Sequence, residues 1–117
     1  METRVENIES PEYAKIIVLR LVTDKGNSIR VDVPLRLLDE AGIRIEKDDL
    51  INIEIKRELV DMDSWDIVYS CKAYMEREGR TLISCGGLQV SLDSSLIDTR
   101  PGERVYIYIK QGIRKKD

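Results

Sequence analysis

The chain has 117 residues, 42% of them hydrophobic and 35% charged, which suits one domain around one core and is too apolar for a disordered polypeptide. Lys and Arg total 19 against 22 Asp and Glu, a net charge of -3, which argues against a protein whose main task is to coat nucleic-acid phosphates. There is no His and there are only two Cys, so the commonest acid-base side chain and any Cys/His zinc cage are both missing.

Residues 1–12 carry Glu2, Glu6, Glu9 and Glu12 without an apolar run. That is neither a signal nor a transit peptide, and it reads as a flexible acidic tail. No stretch approaches the roughly 18 apolar residues needed to cross a bilayer, so a soluble, cytoplasmic protein with no membrane partner is expected.

A single barrel domain is expected over 13–110. It begins with a β-branched strand at 14–23, ended by Asp24-Lys25-Gly26-Asn27, a hairpin turn. Residues 28–33 alternate, with Ile29, Val31 and Val33 on the core face. Pro34 stops that strand, and the spacing from Leu35 to Gly42 predicts a two-turn helix. Ile51, Ile53 and Ile55 alternate with Asn52, Glu54 and Lys56 in the next strand, and aperiodic Leu59–Trp65 connects two halves.

A strand at 66–77 places Ile67, Tyr69, Cys71, Ala73 and Met75 on one face, and Glu78-Gly79 turns it into a partner strand at 80–85. Gly86-Gly87 reads as a bulge or sharp bend before Leu88, Val90 and Leu92 resume the alternation. A short helical turn at 93–99, a turn at 100–103 and a last strand with Val105, Ile107 and Ile109 inward complete the domain. Residues 111–117 are a basic tail. Short strands with one or two helical insertions predict a mainly β, small antiparallel barrel related to the OB-fold. Strand, helical insert and Ile-rich strand recur at 28–58 and 80–110, a pseudo-repeat.

The chemistry of the residues points to binding. Asp61, Asp63 and Asp66 lack the Gly and Glu that a calcium loop requires and read as an acidic linker, and no cofactor or metal is expected. No Ser has a base to activate it, and no glycine loop is built to cradle phosphate. The two-residue turn at Glu78-Gly79 sets Cys71 opposite Gly86, so Cys71 and Cys85 are expected as free thiols, whereas a longer loop would face them. Tyr106 and Tyr108, with Arg104 and Lys110 along one side of a strand, form an aromatic and basic row on which unpaired bases could stack. The reading preferred here is that the tyrosines cover the barrel or meet a protein partner.

Three segments together resemble subunit 8 of archaeal and eukaryotic RNA polymerase. They are Ile67–Met75, Ile83-Ser-Cys-Gly-Gly-Leu-Gln-Val-Ser-Leu92 and Arg104-Val-Tyr-Ile-Tyr-Ile-Lys110, with Ile29–Ile55 similar to that family's first half. Gly86-Gly87-Leu88 is the most specific element, and Gln89 departs from the usual apolar residue. The short acidic segment 61–66 resembles an archaeal form.

The resemblance implies a non-catalytic accessory subunit of DNA-directed RNA polymerase, a nucleotidyltransferase complex, docked on the largest subunit near the pore and funnel. It places partner contact at Gly86, Gly87, Leu88, Val90, Tyr106 and Tyr108, and leaves Arg104, Tyr106, Tyr108 and Lys110 for weak or indirect nucleic-acid contact. The alternative is a swapped-hairpin DNA-binding regulator, which Ile29–Ile43 resembles, although Asp48-Asp49 replaces that family's Gly-Asp. A third reading is a single-strand-binding OB-fold protein.

Overall fold

In the computed structural model, which describes residues 1–112, β-branched alternation produces eight strands among the described residues. They are β1 (Glu2–Glu9), β2 (Ile16–Thr23), β3 (Ser28–Pro34), β4 (Leu50–Lys56), β5 (Ile67–Arg77), β6 (Arg80–Cys85), β7 (Leu88–Asp93) and β8 (Arg104–Gln111). All pair antiparallel and close in the order β1-β2-β3-β7-β6-β5-β8-β4. Over the described residues the protein is thus a small, mainly β closed barrel with one α-helix, consistent with the OB-like barrel expected. Val5, Leu19, Leu21, Ile29, Val31, Ile51, Ile53, Ile83, Leu92, Ile107 and Ile109 fill the interior. Each such side chain contributes roughly 1.5–3 kcal/mol on leaving water.

The helix α1 (Leu35–Ala41) lies between β3 and β4, and Leu38 closes onto the core. Its stop is local chemistry: Gly42 sits at φ 67, its N–H reaches the Asp39 carbonyl at 3.1 Å, and the Ile43 N–H reaches that of Leu38 at 3.0 Å. An L side chain resists that left-handed backbone, so Gly42→Ala is expected to cost about 1 kcal/mol. A lower urea midpoint at unchanged slope is the measurement that checks it.

The two halves share one plan. β1-β2-β3 and β5-β6-β7 are meanders, each followed by a helical insert, α1 or the 3-10 turn Ser94–Leu96, and then by a strand that returns to the first of its set. The halves join through β3 with β7 and β4 with β8. The repeat is therefore longer than the 28–58 and 80–110 rhyme and takes in the N-terminal strands.

That corrects the expected flexible tail at residues 1–12, because Glu2–Glu9 is a stave of the barrel with Thr3 and Val5 buried. Its alternation is hidden by a bulge: the pairing with β2 shifts between Val5 and Asn7, so Glu6 is extra and Ile8 returns to the core side opposite Leu19. At the other end Gln111 belongs to β8, and the Gly112 N–H bonds the Leu50 carbonyl at 2.7 Å. The rest of the expected basic tail, 113–117, lies outside the described residues.

A second bulge corrects the thiols. Glu78-Gly79 does form a two-residue turn pairing Arg77 with Arg80, with positive φ at both residues. Further along, the register slips between Ala73 and Met75, so Ala73 faces Ile83 and Lys72 faces Ser84. Tyr74 is the extra residue, Cys71 consequently faces Cys85, and the two form a disulfide with both cysteines buried. The same slip turns Met75 out to solvent rather than onto the core face. Gly86-Gly87 is also more than a bend: with φ of 61 and 93 it is the two-residue turn of the β6–β7 hairpin, pairing Cys85 with Leu88.

In the first half Thr3 faces Thr23 where the second half has its disulfide, and the Thr3 hydroxyl donates to the Ile51 carbonyl at 2.8 Å. The β3–β7 seam pairs Ile29, Arg30 and Val31 with Leu92, Ser91 and Val90. Asp32 extends it: its Oδ2 accepts the Gln89 N–H at 3.0 Å, and its carbonyl accepts the Tyr69 hydroxyl at 3.0 Å. Burial first, and then the charge of Asp32, push the Tyr69 hydroxyl well above its ordinary pKa, which keeps it a donor.

Candidate functional site

Because β4 and β5 both flank β8, the chain between them, 57–66, must cross the outside of β8. It runs as a strap from the level of Tyr106, which pairs with Lys56, back to that of Ile109, which pairs with Ile67. Tyr108 lies beneath it. Its Oη accepts the Val60 N–H at 2.8 Å and donates to the Glu58 carbonyl at 3.3 Å, while Trp65 leans on its ring with centroids 5.4 Å apart. The Lys56 ammonium stands 5.2 Å from the Tyr108 ring and 5.8 Å from that of Trp65, within cation-π reach.

At its far end the strap is tied to β8 by the Asp66 N–H to the Ile109 carbonyl at 3.0 Å, and by the Gln111 N–H to Asp66 Oδ2 at 2.8 Å. Asp61 Oδ2 instead accepts the Ser64 hydroxyl within the strap.

This geometry separates residues that the sequence grouped. Tyr108 is 0% exposed, so it offers neither a partner contact nor a base-stacking face, although the alternation of β8 points it outward. Val90 is likewise 0% exposed, an interior residue of the β3–β7 seam rather than a contact. Gly86 and Gly87 are exposed at the hairpin tip, and Leu88 is half-buried against the core. Tyr106 remains half-exposed, and Arg104 and Lys110 are exposed, with the Arg104 guanidinium donating to the Ser70 hydroxyl at 2.9 Å.

The barrel then assembles a face that sequence spacing alone does not display. Gln89, Ser84, Lys72 and Arg104 make one outward row across β7, β6, β5 and β8, and Ser70, Tyr106 and Lys56 make the next. Tyr74, the bulged residue, donates its hydroxyl to Gln89 Oε1 at 2.7 Å and borders this face. Gln89 is thus held at both ends, its backbone N–H donating to Asp32 Oδ2 and its side-chain Oε1 accepting from Tyr74. Lys56, Lys72 and Trp65 were the residues sequence reading missed, because their places depend on which strands become neighbours across the ring. Among the described residues, no group of three or more Asp, Glu or Cys is placed to hold a metal ion.

Of the contact residues named from the sequence, Gly86, Gly87, Arg104 and Lys110 are therefore exposed and Tyr106 partly so. No family model matches the chain, and no curated protein does either.

Proposed function

We propose that the chain is a non-catalytic accessory subunit of archaeal DNA-directed RNA polymerase, which works by adhering to the largest subunit and supports transcription from there. The observation that carries the reading is the setting of Gly86-Gly87-Leu88, the most specific piece of the resemblance. Its two glycines form an exposed hairpin tip, both at positive φ, a backbone that glycine adopts without steric cost. A tip of that kind can enter a cleft on a larger protein without deforming the barrel behind it.

The filled interior adds support, since a barrel packed with Ile, Val and Leu leaves its business to the outer surface. The acidic net charge of -3 also fits docking on a protein better than an independent grip on DNA.

Affinity capture of the tagged chain from a native lysate of its source cells, read by mass spectrometry, is expected to recover the large polymerase subunits in stoichiometric amount. Recovery of the chain free of them overturns the reading.

A further inference from the structure

The strap carries a feature that the fold does not use. Leu59, Val60 and Met62 are 52%, 42% and 50% exposed, three large apolar side chains within four consecutive positions. Beneath them the strap is held: the Val60 N–H by the Tyr108 hydroxyl, the Met62 carbonyl by the Trp65 N–H at 3.2 Å, and the Asp61 carboxylate by the Ser64 hydroxyl. The ordering cost of presenting this crest is therefore met within the free protein, as in pre-organised binding loops. Apolar groups gathered at the surface with a polar border mark contact sites more often than single exposed residues do.

The charge around the crest selects the occupant. Glu58, Asp61 and Asp63 are exposed beside it. The neighbouring cations are turned elsewhere, Arg57 to Glu103 at 3.7 Å and to the Asp98 carbonyl, and Lys56 over the Trp65 and Tyr108 rings. A second copy of the chain would set these carboxylates against themselves across an isologous contact, and an anionic lipid surface would repel them.

We infer that the Leu59–Met62 crest is a docking element that inserts into an apolar cleft rimmed by Lys and Arg on a partner protein. The inference rests on the polymerase reading, within which that cleft belongs to the largest subunit and the crest is a second contact besides the Gly86-Gly87 tip.

Polymerase stripped of this chain, titrated with fluorescently labelled chain, provides the test. The parent is expected to bind. Leu59→Ser with Met62→Ser is expected to bind at least about tenfold more weakly at an unchanged melting temperature, since both positions are exposed. Glu58→Lys with Asp63→Lys is expected to slow association most at low salt. Lys25→Ser, in the β2–β3 turn away from the crest, is expected to bind as the parent does.

Parent-like binding by both crest variants overturns the inference and leaves the polymerase reading standing. Absence of binding by the parent chain overturns both.

Discussion

Replacing Cys71 and Cys85 together by Ala is expected to lower the stability of the barrel by about 3 kcal/mol, the loop-closure value for a separation near the 14 residues found here. On a chain of this size that corresponds to a fall in Tm on the order of 10 °C. Reductant applied to the parent should bring its melting to the same lower temperature, while the unreduced protein offers nothing to thiol reagents because both sulfurs are in the bridge. A melt indifferent to both treatments contradicts a stabilising bridge. Thr3 and Thr23 hold the matching place in the first half, so Cys71→Thr with Cys85→Thr is expected to recover part of the loss through cross-strand side-chain pairing.

Tyr108→Ala is expected to cost about 3–5 kcal/mol, the range for removing a fully buried aromatic ring. Tyr108→Phe separates the ring from its hydroxyl. It keeps the Trp65 contact but leaves the Val60 N–H without its acceptor, for about 1–2 kcal/mol. Hydrogen exchange should then quicken in 58–65 while β2, β3 and β6 keep their protection. Uniform exchange in the parent and the Phe variant contradicts the anchoring role. Against the roughly 5–15 kcal/mol that holds a typical domain, the Ala change alone is large enough to populate unfolded chain at 37 °C.

The alternating rows from Ile29 to Ile109 were legible because period two survives wherever a strand has one wet face, and they suffice for a closed β architecture. Two bulges erased the rest. An extra Glu6 made β1 look like an acidic tail, and an extra Tyr74 moved Cys71 from Gly86 to Cys85. Nothing in a single strand's spacing announces a bulge, because the extra residue is defined only against its partner.

Tyr108 failed for a different reason. Its outward direction follows from alternation, yet its burial depends on β4 and β5 flanking β8, a neighbour relation that only ring closure creates. Of the contact residues expected, the glycine tip and Tyr106 reach the surface, while Val90 and Tyr108 do not.

The pairing of β3 with β7 and of β4 with β8 also governs how the molecule is made. Each half presents two raw backbone edges until its sibling arrives, so a nascent N-terminal half emerging from the ribosome has nothing of its own with which to satisfy them. The ring can shut only after β8 has been synthesised, which places its closing pairings, β3 with β7 and β4 with β8, between segments far apart in sequence.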